Sequence, residues 1–347
     1  MGVRAMRAAT GLVVALGAAL LRMALRAGVR SPHRLDVTPL DTAPLDAERV
    51  THALARTIRH QTISRSREEP LPAEAFEALH QELSALFPRV HASLELERLG
   101  DHSLLYTWRG NAPELAPVIL VAHQDVVPVE PGTEDAWSQP PFSGAVTVGE
   151  VWGRGAIDDK SSLVAILTAV EDLLAEGFLP RRPLLLAIGH DEEIGGEAGA
   201  RVIAAELASR GVRAALVLDE GGVVSDGVLP GLGPVALVGV AEKGAVSLEL
   251  MAEAPGGHSS MPPSQSAIGI VAEAVRRLET RRPSARLVQP TRATLKTLAP
   301  ELPLLHRLVL ANADLLEPLV LRALASRPAL DAAIRTTTAA TVFHGGT

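Results

Sequence analysis

Short apolar runs and longer amphipathic stretches alternate along the middle of the chain. Three short runs are rich in leucine, valine, isoleucine and alanine and are typical of strands buried on both faces of a sheet: 118–122, 182–188 and 214–218. Two runs that alternate apolar and polar residues precede them: 94–98 and 103–108. Helical spacing of apolar residues covers 46–59, 73–86, 161–174 and 200–210. Strands and helices therefore alternate, which predicts an α/β fold with a mostly parallel sheet flanked by helices and joined by right-handed crossovers.

The pattern changes near Val235. Residues 236–240 and 245–251 alternate as strands of an antiparallel sheet do, and 266–278 and 302–325 have helical spacing. We therefore expect a first domain over 46–241 and a smaller inserted α+β domain over 242–347. The last residues, 343–347, add no closing element, so we expect both domains to be incomplete at the C-terminus.

The N-terminal segment stands apart from both domains. Arginines 4 and 7 precede an apolar stretch over 8–21, and arginines 22 and 26 follow it. Over 1–30 this indicates a signal peptide or an uncleaved membrane anchor, with a plain amphipathic helix as the alternative. Residues 31–45 contain three prolines and are expected to form a linker. The protein is thus expected to be exported or membrane-anchored, with a cytoplasmic protein as the alternative.

Composition limits the partners that the chain can bind and the side chains that can hold a metal. The 347 residues leave room for two domains, and the net charge of -7 with no basic block argues against a nucleic-acid partner. The absence of cysteine excludes disulfides, thiolate metal sites and a cysteine nucleophile. Any metal must therefore be held by histidine, aspartate and glutamate.

Acidic residues and histidines follow three of the predicted strands and open one helix. The four clusters are His123 with Asp125, residues 190–193, Asp219 with Glu220, and Asp158 with Asp159. A lone histidine or a pair of glutamates is usually an ordinary polar group. The carboxyl ends of parallel strands, however, meet at one edge of a sheet, where α/β proteins place their ligands. Together the clusters predict a dinuclear metal site.

Each cluster has a chemical reason to belong to such a site. Imidazole and carboxylate groups bind zinc, cobalt or manganese, and two metals about 3.5–4 Å apart share a ligand, for which Asp158 is the candidate. Asp125 is placed to accept the second ring N–H of His123. Side chains of the adjacent Glu192 and Glu193 diverge in extended backbone, so one can bind metal while the other acts as general base.

Sequence motifs for two other kinds of site are incomplete. The segment 257–261 lacks the final glycine of a nucleophile elbow, and 153–155 lacks the third glycine of a dinucleotide fingerprint. The proline- and glycine-rich stretch 126–144, which contains Trp137, is either a cover over a pocket or a solvent loop with one anchoring aromatic.

Six ordered segments carry a family resemblance: HQDVVPV, PPFSG, GRGAIDDKSS, GHDEEIGGEAGA, VLDEGG and GGHSSMPP. They resemble the di-zinc aminoacylase and carboxypeptidase superfamily, which includes glutamate carboxypeptidase and succinyl-diaminopimelate desuccinylase. The chain resembles most the branch of carboxypeptidase S and the secreted N-acyl-amino-acid hydrolases. The resemblance implies a zinc-peptidase fold and two zinc ions, with cobalt or manganese as alternatives. It also implies cleavage of N-acyl amino acids or small peptides, and a homodimer formed through a lid domain.

The resemblance also assigns roles. The metal ligands it implies are His123, Asp158 as the bridge, Glu193, and Glu220 with Asp219 as the less favoured alternative. The catalytic groups it implies are Asp125, which orients His123, Glu192 as general base and later acid, and His258 of the lid, which helps hold the oxyanion. The peptide bond after Asp158 is expected to be cis.

The chain departs from the family pattern at one metal ligand, and this departure suggests an alternative function. The family ends with a metal-ligand histidine in a segment that returns from the lid, and His344 lies in the lid rather than in such a segment. We therefore expect a truncated chain with an enzyme ancestry. The alternative function is an inactive remnant that acts as a binding or dimerisation module. An esterase that uses Ser259 is a third hypothesis.

Overall fold

The computed structural model describes residues 17–18, 21–28, 38, 44–227 and 233–345. The chain divides into two compact units, Leu40–Gly221 and Met1–Pro39 with Gly222–Thr347. We call the first the sheet unit and the second the helical unit, and describe each by itself. The predicted domain boundary after residue 241 lies further along the chain than this division, and it stays a prediction.

The strands of the described residues, in chain order, are β1 Glu95–Leu99, β2 Ser103–Trp108, β3 Val118–His123, β4 Ala145–Thr147, β5 Glu150–Trp152, β6 Leu184–Gly189, β7 Leu216–Leu218, β8 Val223–Ser225 and β9 Val235–Leu237. Five of them form the main sheet in the order β1-β2-β6-β3-β7. Strand β2 is antiparallel to β1 and β6, whereas β3 is parallel to β6 and β7. Four of the five strands thus share one direction, which confirms the predicted α/β class with a mostly parallel sheet.

The helices, in chain order, are α1 Ala47–Ile58, α2 Ala73–Leu86, α3 Pro88–Ser93, α4 Lys160–Ala175, α5 Ala200–Ser209, α6 Ala267–Thr280, α7 Gln289–Leu298, α8 Leu304–Ala311, α9 Glu317–Leu324 and α10 Pro328–Ala332. Helices α1 to α4 cover one face of the sheet and α5 covers the other. Successive side chains of β6 point to opposite faces, so Leu186 joins the first core and Leu185 the second. The sheet unit therefore has three layers, as the continuous apolar runs predict.

Two expectations for the helical unit are wrong. Strands β8 and β9 pair with each other, but residues 245–251 form no strand, and Val246 and Leu248 are about 80% exposed. A strand needs a neighbour for its backbone hydrogen bonds, and no described residue pairs with this segment. The predicted helix over 302–325 is divided into α8 and α9, because Pro318 opens a new helix after residues 312–316.

Only part of the N-terminal segment belongs to the described residues. Residues 21–28 are helical, Ala27 is buried against Ala299 and Ala311, and the side-chain amide of Asn312 donates to the Met23 carbonyl at 3.1 Å. Most of the predicted signal or anchor and of the linker lies outside the described residues. Among those that are described, no helix is both long and apolar enough to cross a membrane.

Candidate metal centre

His123 ends β3 at the carboxyl edge of the parallel strands. Its ring is almost completely buried, with 3% of the side chain exposed. Its Nδ1 lies 3.0 Å from the backbone oxygen of Asp125 and 3.2 Å from the Asp125 Oδ1. A ring whose Nδ1 donates in this way presents Nε2 as the free ligand atom.

The carboxylate of Asp125 connects His123 to the two glutamates. It is fully buried, its Oδ1 accepts the backbone N–H of Glu192 at 3.1 Å, and its Oδ2 accepts that of Glu193 at 3.2 Å. Both glutamates lie in the short 3-10 helix Glu192–Ile194, which follows β6. One side chain therefore fixes the end of β3 and the loop after β6 relative to each other.

Carboxylate oxygens converge on the Nε2 atom of His123. Asp158 Oδ1 lies 2.9 Å from it, Glu220 Oε1 lies 3.3 Å away, and Glu192 Oε2 lies 3.8 Å away. Two groups of ligand atoms result, each within 4.8 Å: His123, Asp158 and Glu193 in one, and His123, Asp159 and Glu220 in the other. Four of the predicted ligands thus meet at one place in the sheet unit.

The donor set fits a divalent metal. It consists of one imidazole nitrogen and several carboxylate oxygens, which zinc and manganese sites use. In the part of the chain that the structure describes, His123 is the basic side chain that pairs with Asp158, Glu192 and Glu220. The negative charge of the cluster is therefore left for a cation from solution to balance.

The pKa values of the protein groups agree with a site for a cation. Burial disfavours the charged ring of His123, but Asp125 and the nearby carboxylates outweigh it and raise the His123 pKa to about 10. Burial, together with the charges of Asp159 and Asp158, raises the pKa of Glu220 to about 7. Burial likewise raises the pKa values of Glu192 and Glu193. A bound cation would take the place of the proton on His123.

The turn before α4 brings both aspartates to the site. The Asp158–Asp159 peptide bond is cis, which confirms the expectation. Gly155 has φ +83°, and a Cβ there would lie 2.7 Å from Val126 Cγ1, so glycine is needed for this close approach. Lys160 is fully buried, and its ammonium donates to the Thr57 carbonyl at 2.9 Å at the end of α1. The turn is therefore fixed against α1.

Asp159 and Lys160 are the residues that sequence reasoning missed. The sequence gives Asp159 no role of its own beside Asp158, yet it is fully buried, and its Oδ2 accepts the backbone N–H of His123 at 3.2 Å. Two adjacent aspartates look alike in a sequence. The signal that the sequence offers for Lys160 is its position at the start of the amphipathic helix α4: a buried lysine needs partners for its ammonium, and this one donates to two backbone carbonyls.

Two predicted site residues, Asp219 and His258, belong to neither ligand group. Asp219 uses its Oδ1 to accept the backbone N–H of Glu220 at 2.9 Å and belongs to neither ligand group. His258 belongs to the helical unit, where its Nδ1 lies 2.9 Å from the hydroxyl of Ser260. The geometry of the sheet unit therefore favours Glu220 over Asp219, and the role of His258 stays a prediction.

The stretch 126–144 is fastened to the turn before α4. The guanidinium of Arg154 lies 5.3 Å from the ring centroid of Trp137, and its backbone N–H donates to the Pro141 carbonyl at 2.7 Å. Trp137 therefore anchors this stretch next to the segment that carries Asp158.

An α/β sheet with a histidine-carboxylate centre at its carboxyl edge is typical of metal-dependent hydrolases. Residues 119–297 match the model of the peptidase family M20/M25/M40. The chain belongs to this family, which implies the use of a divalent metal. The resemblance stated above is thus confirmed.

Two curated proteins and one solved structure are similar to the chain. It is 41% identical over 322 residues to the probable carboxypeptidase S-like 2 of Dictyostelium discoideum, covering 92% of this chain and 61% of that protein. It is 40% identical over 341 residues to the N-fatty-acyl-amino acid synthase/hydrolase PM20D1 of Xenopus tropicalis, covering 97% and 66%. A solved structure, the M20 family metallo-carboxypeptidase Sso-CP2 from Sulfolobus solfataricus, matches with 24% identity and a TM-score of 0.41 over 50% of this chain and 37% of that one. The chain spans 61–66% of the length of these two curated relatives.

Proposed function

We propose that the chain is a metal-dependent hydrolase that cleaves the amide bond of N-acyl amino acids or releases the C-terminal residue of small peptides. One observation carries the proposal: two groups of ligand atoms share His123, and Asp125 links that histidine to the candidate base Glu192. The printed names of the relatives, a carboxypeptidase S-like protein and an N-fatty-acyl-amino acid synthase/hydrolase, support this choice of substrates.

The proposed metals are two zinc ions, with cobalt or manganese as alternatives. His123 and Glu220 would hold one ion, Glu193 would hold the other, and Asp158 would bridge them. Bound ions supply electrophilic activation of the scissile carbonyl and of water. Asp219 remains the alternative to Glu220, so zinc titrations of Asp219→Ala and Glu220→Ala decide between them: the true ligand is the one whose removal weakens binding.

Glu192 is the proposed general base. Its backbone is held by Asp125 while about half of its side chain is exposed, so the carboxylate can reach a substrate. Its raised pKa suits a group that takes a proton from water and then delivers it to the leaving amine. His258 is proposed to hold the oxygen of the scissile carbonyl as negative charge develops there.

The remaining parts of the proposal concern partners and location. We include a homodimer through residues 242–347, no nucleic-acid partner, and export or membrane association through residues 1–30. Light scattering of the purified protein tests the dimer. Cell fractionation of the full chain and of a chain lacking residues 1–30 tests the location.

Hydrolysis by the purified chain tests the main proposal. The protein is stripped with a chelator, titrated with zinc, and supplied with a short-chain N-acyl phenylalanine, a long-chain one and a dipeptide, and the released amino acid is quantified. Glu192→Gln is expected to bind zinc as the wild type does and to lose about 10²–10⁴-fold in turnover. Glu197→Gln is the matched control, because that exposed glutamate pairs with Arg201 and touches no ligand group.

Two results would contradict the proposed hydrolase. A chain that binds no zinc and releases no amino acid with zinc added contradicts the hydrolase and supports a binding or dimerisation module. Activity that persists in chelator but is lost in Ser259→Ala would instead favour the esterase hypothesis.

A further inference from the structure

Asp159 is a buried carboxylate whose second oxygen has no partner. None of the side chain is exposed, and its Oδ2 accepts the backbone N–H of His123 at 3.2 Å. Its Oδ1 is buried and has no hydrogen-bond partner among the described residues. A buried carboxylate oxygen normally has a donor or a cation beside it, because burying it without one costs free energy.

The basic side chain next to it in sequence does not supply that partner. The ammonium of Lys160 donates to the backbone carbonyls of Thr57 and His60 instead. Asp159 does lie within 4.8 Å, atom to atom, of ligand atoms of His123 and Glu220. A cation held between these donors would therefore be within reach of the Asp159 carboxylate, which also interacts with the Ser162 side chain.

We propose that Asp159 supplies a carboxylate to the metal position formed by His123 and Glu220, in addition to the bridge from Asp158. The inference rests on the proposed function in one respect, namely that a metal binds at this position. The two adjacent aspartates then contribute to different ligand groups: Asp158 belongs to the group with Glu193, and Asp159 belongs to the group with Glu220. The same Asp159 carboxylate also holds the backbone of His123.

Asp159→Asn tests this inference, because asparagine keeps an oxygen for the His123 N–H and removes the charge. In a calorimetric zinc titration of the chelator-stripped protein, one of the two binding steps is expected to weaken about 10–100-fold. The melting temperature of the metal-free variant is expected to equal or exceed that of the wild type, because an unbalanced buried charge has been removed. A second variant, Asp159→Ser, keeps a smaller oxygen acceptor and is expected to weaken the same step.

Asp191 provides a matched control. It is also a buried aspartate with one oxygen accepting a backbone N–H, that of Ala198 at 2.7 Å, and one oxygen without a partner, yet it belongs to neither ligand group. Asp191→Asn is expected to leave both zinc affinities within twofold of wild type.

The outcomes separate the two proposals. A wild-type chain that binds no zinc overturns the proposed function itself. A wild type that binds two zinc ions while Asp159→Asn and Asp159→Ser bind them equally well overturns only the role of Asp159. The role is also overturned if Asp159→Asn lowers the metal-free melting temperature and leaves both affinities unchanged, because that is the result of a purely structural carboxylate.

Discussion

The carboxylate of Asp125 gives the sharpest test of how the centre is held together. In Asp125→Asn the side chain keeps its shape but has one acceptor oxygen instead of two. In the wild type, Asp125 accepts a hydrogen bond from the backbone N–H of Glu192 at 3.1 Å and from that of Glu193 at 3.2 Å. In the variant, the amide NH₂ group faces one of these two N–H groups and cannot accept its hydrogen bond. One buried donor is left without a partner, and His123 loses its charged neighbour.

The expected magnitudes follow from these contacts. An unsatisfied buried N–H costs about 1–3 kcal/mol, so the free energy of unfolding of the metal-free protein should fall by that amount. Loss of the group that orients a ligand histidine costs about 10–100-fold in metal affinity, or about 1.4–2.7 kcal/mol. Urea unfolding of the stripped protein measures the first quantity, and zinc titration measures the second.

Glu171 is the matched control for Asp125. It is a buried carboxylate of α4 whose Oε1 accepts the backbone N–H of Arg89 at 3.1 Å and whose Oε2 accepts that of Val90 at 2.9 Å. Glu171→Gln leaves one N–H without a partner in the same way, so it should lose similar stability and keep its zinc affinity. Equal loss of stability in both variants with no difference in zinc affinity would refute the positioning role of Asp125.

Two further predictions concern stability. Burial is the main cause that lowers the pKa of His80 in the folded protein below its ordinary value of 6.5, so protonation favours the unfolded chain. The contribution of His80 to the free energy of unfolding should therefore fall as the pH drops below about 6.5. Urea unfolding between pH 7 and 5 measures it as the difference between the wild type and His80→Gln, and a difference that does not change with pH contradicts this. Gly155→Ala combines a positive φ, +83°, with a clash against Val126, whereas Gly132 has a nearly equal φ, +82°, and a Cβ there would have nothing within 4 Å. In thermal unfolding, Gly132→Ala should lower the free energy of unfolding by about 1 kcal/mol, and Gly155→Ala should lower it by clearly more. Equal losses would contradict the close approach of Gly155 to Val126.

The sequence predicted the parts of the fold that depend on local patterns. Strand β2 and helix α2 have the predicted bounds, because alternation over 103–108 and helical spacing over 73–86 are unambiguous. Residues 245–251 alternate just as well but form no strand, because pairing requires a partner that periodicity does not report. The predicted long helix is likewise divided, because α8 ends at Ala311 and Pro318 lies in the first turn of α9.

The candidate site was predictable as far as residue types and strand ends determine it. His123, Asp158, Glu193 and Glu220 meet because parallel strands end at one edge. Burial was not predictable, since it depends on which elements pack over a residue. Asp159 is therefore the residue that only the three-dimensional structure brings to attention.

Every side chain in the two ligand groups belongs to Leu40–Gly221, and this has a consequence for biosynthesis. A ribosome that has polymerised the chain as far as Gly221 has already made all of these donors. An ion can therefore be captured during translation, before residues 222–347 are complete, so the order of metal loading and chain completion depends on the free metal concentration in the cell.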